Sequence, residues 1–224
     1  MSEAAGFAAW LHADMHDPGS ARNYYRMAIN AARNARRDLL TSYMIGSLAA
    51  FEIENEDPAF GLELLVEART TLGEHPPPVA EAWLSSLEGL GRATAHDKPA
   101  ALQALHNAEQ AVSAHERATD PPWPWVFPFD QGKLARYRAL IMVRLGDAVE
   151  AVNAFADSLS AAQPSEKQRG MIMVDIATAR YLAGEIDEAF YLAQEALILG
   201  LTYGSERIVQ RARRVSVHGS GVRV

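Results

Sequence analysis

The sequence predicts an all-α superhelix of about five helical hairpins, closed at its C-terminal end by a capping helix. Three observations predict it. The stretch from Leu140 to Phe155 is an apolar run broken at Gly146 and Asp147 and resumed at Ala151. The same grammar returns from Tyr181 to Ala196, with Gly184 and Ala189 each 38 residues further along. A triplet also recurs, in which a small residue is followed by an apolar one four positions later and a small one three after that. It stands at Ala21/Tyr25/Ala28, Gly61/Leu65/Ala68 and Ala101/Leu105/Ala108. With Ala151 and Ala189, the small residues advance in steps of 40, 40, 50 and 38, and self-similarity at such a period marks stacked helical hairpins. The third observation is compositional: alanine dominates and β-branched residues are sparse, which favours helix throughout.

Each element follows from local signals. The first helix is expected from about Glu3 to Met15, where Phe7, Trp10, Leu11 and Met15 follow a helical apolar stripe. Asp17-Pro-Gly-Ser20 closes it, with Ser20 as the expected N-cap of a second helix running to about Arg37. The second pair spans about Leu39 to Asn55 and Pro58 to Leu72, with Asp57 as cap and Pro58 at the first helical position. Pro76-Pro-Pro78 then stops the chain. A third pair covers about Val79 to Ala95 and Pro99 to Ala118, with Asp97 as cap. The aromatic, proline-rich stretch Asp120 to Asp130 accounts for the long step. The fourth pair (about Gln131 to Leu145, Ala148 to Ala162) and the fifth (about Glu166 to Ala183, Ile186 to Gly200) are regular. A last helix, about Ser205 to Ser216, sets Ile208, Val209, Ala212 and Val215 on one side and arginines on the other, as a terminal cap does. Residues 1–216 read as one domain, and 217–224 as a loosely held tail.

Composition narrows the function classes. Of 224 residues, 49% are apolar, enough for a substantial core. The absence of cysteine excludes disulfides and thiolate metal sites and accords with a reducing compartment. The N-terminus lacks a cationic, apolar leader, and no apolar run approaches the roughly eighteen residues of a membrane span. A cytoplasmic protein without membrane contact is therefore expected. The net charge of −7 speaks against a surface that coats duplex DNA, so direct nucleic-acid binding is not expected.

The segment Met173 to Ala189 resembles the tetratricopeptide repeat, with Ala177, Gly184, Ala189 and Ala196 where that repeat takes small side chains, and Ala139 and Gly146 doing the same one repeat earlier. His16, Glu56 and His96 stand where the turn glycine would be in the first three repeats. A narrower resemblance rests on Gly6-Phe-Ala-Ala-Trp10-Leu, on Ala21 to Ala28 and on Trp125 to Asp130. These are similar to the C-terminal repeat region of actinobacterial XRE-type helix-turn-helix regulators. That resemblance implies a region that dimerises or senses a ligand. DNA binding does not carry over, because the residues that would perform it are not in these 224.

In tetratricopeptide arrays the first helix of each pair lines the concave face. The register places Trp10, Tyr43, Trp83, Arg136, Leu140 and Tyr181 there, beside the small residues Gly6, Gly46, Ala50 and Ser86. Two readings stand side by side: large rings next to small residues form an apolar-walled groove, or they fill the gaps between adjacent helices. The same choice applies to the loop aromatics Trp123, Trp125, Phe127 and Phe129, which either present rings to a ligand or plug a gap between repeats, while Asp130 caps the following helix. Arg22, Arg26, Arg33 and Arg37 share one helical face, as do Arg207, Arg211 and Arg214. Each set reads as a solvated face or as contact with an acidic partner.

Catalytic signals are thin. His12 and His16 have the i, i+4 spacing of a zinc pair, but Ala13 replaces the glutamate of the metalloprotease pattern. Gly89-Leu-Gly91 lacks the third glycine of a dinucleotide loop. No catalytic residue, metal or cofactor is expected. The expectation is a non-catalytic sensing or interaction domain, the regulatory region of a transcriptional regulator, with a peptide or small apolar signalling molecule as ligand. The alternative is a free-standing scaffold that holds protein partners or forms a homodimer.

Overall fold

The computed structural model describes residues 1–115, 123–124, 129–161 and 165–220. Eleven helices run through the described residues, and they pair in chain order. The five hairpins are α1 (Ser2–Asp14) with α2 (Pro18–Asn34), α3 (Asp38–Glu54) with α4 (Pro58–Leu72), and α5 (Pro78–Thr94) with α6 (Lys98–His115), then α7 (Gln131–Leu145) with α8 (Ala148–Ala161) and α9 (Glu166–Leu182) with α10 (Ile186–Thr202). The capping helix α11 (Glu206–Ser220) packs on α9 and α10. It continues past Ser216, so the first four residues of the expected tail are helical and 221–224 lie outside the described residues.

The recurrent triplet forms the seam of each hairpin. Ala21, Tyr25 and Ala28 are buried, as are Gly61, Leu65 and Ala68, and Ala101, Leu105 and Ala108. Ala151 with Phe155, and Ala189, Ala193 and Ala196, repeat the arrangement. Small side chains let the two helices of a pair approach closely. At Gly61 an added Cβ would stand 2.5 Å from Ile53 Cγ1 and 3.1 Å from the Ala49 carbonyl oxygen. One continuous apolar cluster runs from Ala5 to Ala179, and two smaller ones join α9 to α10 and α11.

Caps and turns repeat as well. The carboxylates of Asp57, Asp97, Asp130 and Asp147 each accept the N–H three residues on, which satisfies an otherwise orphaned donor in the first turn. Asp17 does the same for Ser20, at 3.1 Å, and Pro18 takes the first helical position. The expected cap, Ser20, is thus inside the helix; the rule that gave Asp57-Pro58 applies equally to Asp17-Pro18. Ser165 and Gln168 form a reciprocal capping box. In the turns, His16, Arg36, Glu56 and His96 adopt positive φ, matching Gly146, Gly184 and Gly204.

The superhelix turns far enough for its two ends to meet. Asp14, at the end of α1, is buried and receives the Ser205 hydroxyl at 2.6 Å and the Lys167 ammonium. Arg207 of α11 reaches Glu54 at 3.3 Å, and Lys167 lies over the Trp10 ring. An open curved ribbon would leave these groups far apart in solvent. Here the first repeat is fastened to the fifth and to the cap. No helix among the described residues is long and apolar enough to cross a membrane.

Candidate functional site

Where the ends meet, the inner face holds an open cavity of about 380 Å³. Its walls come from α3, α5, α7, α9 and α11 and from the first turn. Apolar surface is supplied by Phe51, Leu90, Leu140, Val143, Met171 and Val174, among others. Set into it are five arginines, Arg136, Arg144, Arg207, Arg211 and Arg214, against three carboxylates, Glu54, Glu56 and Asp175. In a chain of net charge −7, this interior is locally cationic.

Most of these charges are paired across the cavity. Asp175 of α9, only 2% exposed, accepts Arg136 of α7 at 3.4 Å and Arg211 of α11. Burial works against the charged form of Arg211, yet Asp175 and Glu54 hold its pKa above the ordinary guanidinium value. Arg207 joins Glu54, and Arg214 stands 4.0 Å from Glu56. Arg144 differs: it forms no hydrogen bond or ion pair among the described residues. Desolvation and the neighbouring Arg211 push its pKa below the ordinary value, against the pull of Glu56, Glu54 and Asp175. Its side chain is exposed to solvent at the cavity wall.

Three of the six expected concave-face residues, Arg136, Leu140 and Tyr181, line this cavity. Trp10, Tyr43 and Trp83 do not. Trp83 lies against Gly46, where an added Cβ would meet the ring at 2.6 Å, and it stacks on Tyr43 at 5.3 Å. Met44 likewise occupies the space beside Gly6, and Ser86 is buried with its hydroxyl donated to the Ala82 carbonyl. Large side chains therefore lie against the small residues Gly6 and Gly46, while Trp10, Tyr43 and Trp83 keep part of their surface exposed. Trp10 stacks on Phe7 at 6.0 Å under the Lys167 ammonium.

Of the loop aromatics, Phe129 is buried and stacks on Tyr137 at 5.7 Å, while Trp123 lies under Arg37 beside the main cluster. Phe129 is thus part of the core, and Trp123 packs half-buried against it. Burial pushes the Tyr137 hydroxyl up to about 12. Trp125 and Phe127 lie outside the described residues.

The arginine rows are mixed: Arg26, Arg33 and Arg37 of α2 are exposed, while Arg22, Arg207 and Arg211 are half-buried and paired within the chain. Arg22 forks bidentately onto the buried Glu52, at 2.8 and 2.7 Å, and Arg33 pairs with Glu67. The acidic partners of Arg207, Arg211 and Arg214 are carboxylates of this same chain, on α1, α3, α9 and the turn after α3. Sequence reasoning missed Arg144, Asp175, Glu54 and Glu56 as site residues. The one legible signal was an inward-facing acid in α9, among residues otherwise apolar. His12 meets Asp17 at 3.2 Å and stacks on Tyr24, and His16 occupies a turn at positive φ. Searches of protein-family models, curated proteins and solved structures find nothing that matches this chain.

Proposed function

We propose that the protein is a non-catalytic binding module that closes around a small ligand in its central cavity, and that ligand occupancy is what it reports. The observation that carries this reading is the make-up of the cavity wall. Residues of α3 and of the first turn, far off in the chain, line one cavity with those of α7, α9 and α11. A ligand there would stabilise the closed arrangement by its own binding free energy, the thermodynamic basis of a sensor. The likeness of the chain to the tetratricopeptide-like repeat region of actinobacterial XRE-type regulators supports a sensing role, in which such repeats would control a DNA-binding partner domain. The inward pairing of the α11 arginines with the chain's own carboxylates supports a role without direct nucleic-acid contact.

Calorimetric titration with small organic ligands tests the reading, using wild type and two cavity variants, Leu140→Arg and Tyr181→Ala. Binding by wild type that both variants weaken is the expected result. Ligands that bind all three proteins equally would show that the cavity is not the site.

A second reading is a scaffold that pairs with another copy of itself. Tyr191, Ile198 and Leu201 favour it, standing 62%, 51% and 63% exposed on α10. Sedimentation decides it: a monomer at micromolar concentration removes this alternative.

A further inference from the structure

We propose that Arg144 anchors the anionic head of an amphipathic organic ligand, a carboxylate or phosphate monoester whose apolar body lies along Leu140, Val143, Met171 and Val174. The inference deepens the reading of the cavity as a ligand site and rests on it.

The charge arrangement points to the head group. Four of the five cavity arginines have carboxylate partners within the protein, and each partner is already engaged. Among the described residues Arg144 makes no hydrogen bond or ion pair; a second guanidinium, Arg211, stands near it, with Glu56, Glu54 and Asp175 also acting on it. A cation in that position gains most from an added anion, since one would offset the like charge beside it and supply the guanidinium with a fixed acceptor. The guanidinium fork matches the paired oxygens of a carboxylate or a phosphate, so both head groups suit it.

The wall points to the body. Leu140 and Val143 stand one turn and one residue before Arg144 on α7, and Met171 and Val174 face them from α9. An inorganic anion would leave that surface wet, and a neutral hydrocarbon would leave Arg144 as it is. A molecule with both parts satisfies both, and a cavity of about 380 Å³ holds one of modest size.

The test uses three probes of equal chain length: decanoate, decyl phosphate and decanol. Each is titrated into the full chain at low ionic strength, into wild type, Arg144→Gln and Arg144→Lys. An exterior control, Arg26→Gln, removes a cation of α2 outside the cavity lining. One or both anions should bind wild type at least about tenfold more tightly than decanol, a charge-assisted contact's ordinary contribution. Arg144→Gln should remove that advantage and leave decanol binding unchanged. Arg144→Lys, which keeps the charge without the fork, should retain part of it, and Arg26→Gln all of it. The tighter-bound anion identifies the head group.

Equal binding of decanol and the anions by wild type would overturn the proposal and leave the cavity reading standing. So would an anion preference that survives Arg144→Gln or falls equally with Arg26→Gln. If none of the three probes binds wild type, the amphipathic-anion proposal falls, and the cavity reading stands or falls on its own titration with other small organic ligands.

Discussion

The inner face of the superhelix is built in two ways. Between α3 and α5 it is filled: Trp83 sits over Gly46 and stacks on Tyr43. Among α7, α9 and α11 it is open and charged, with Asp175 between Arg136 and Arg211 and Arg144 beside them. Both regions grow from the same hairpin and the same small-residue seam. They differ in what stabilises them. Filled apolar contact stabilises in proportion to the area removed from water, whatever its neighbours do. A charged wall stabilises only while each ion keeps its partner, because an unpaired buried charge costs several kcal/mol. The first kind suits a girder and the second a surface that must respond to something.

The largest expected effect breaks the charged half. Asp175→Asn keeps the shape but leaves Arg136 and Arg211 facing each other with Arg144 close by. Loss of the shared carboxylate should cost about 3–5 kcal/mol, toward the lower end because both arginines retain some solvent. Urea unfolding would measure it. A loss below about 1 kcal/mol would mean that water already screens the group.

Next comes the filled half. Trp83→Ala removes the ring over Gly46 and its stack with Tyr43, which should cost about 3 kcal/mol in the same assay. Ligand affinity should stay unchanged, because Trp83 does not line the cavity. Tyr181→Ala should do the reverse, with a smaller stability loss and weaker binding. Parallel losses in both variants would erase the distinction between the halves.

A smaller effect concerns the join that holds the two halves face to face. Asp14→Asn removes the negative charge shared by Lys167 and Arg207, both about a quarter exposed, and should cost about 1–3 kcal/mol. Hydrogen exchange should rise in α1 and α11 and stay unchanged in α5 and α6. Equal loss of protection along the chain would show that the ends are not a separable seam.

The hairpin seams and caps of both halves were far more legible in the sequence than the charged cavity, for a physical reason. Ala21, Gly61, Ala101, Ala151 and Ala189 are buried through spacing within single helices, and the caps at Asp57, Asp97 and Asp130 act over three residues. Local pattern suffices for such features. The cavity depends on how far the superhelix turns, a sum of small angles between repeats. Glu54 meets Arg207 across 153 residues, and Asp14 meets Ser205 across 191. No window of sequence contains such a pair. Arg207, Arg211 and Arg214 were visible as a row, but their partners were not. Trp10, Tyr43 and Trp83 fell on the predicted helices beside the predicted small residues; what spacing left open was whether a neighbouring ring would occupy that space.

The smallest effect tests whether turns in the two halves are interchangeable. His96 has φ 60° and Gly146 φ 76°, at the same position after a first helix. A side chain in that conformation costs about 1–2 kcal/mol through contact of Cβ with the backbone. Glycine avoids this but gives the unfolded chain extra freedom, worth about 0.4–1 kcal/mol. The difference decides the sign: His96→Gly should stabilise by about 0.5–1 kcal/mol. Gly146→Ala should destabilise by a similar amount, and since an added Cβ there has no atom within 4 Å, the backbone alone sets that cost. Opposite signs in the two melting curves would show that one turn geometry serves both the filled and the charged repeats. If both substitutions moved stability the same way, the difference between the halves would begin in the backbone, before any side chain reaches the inner face.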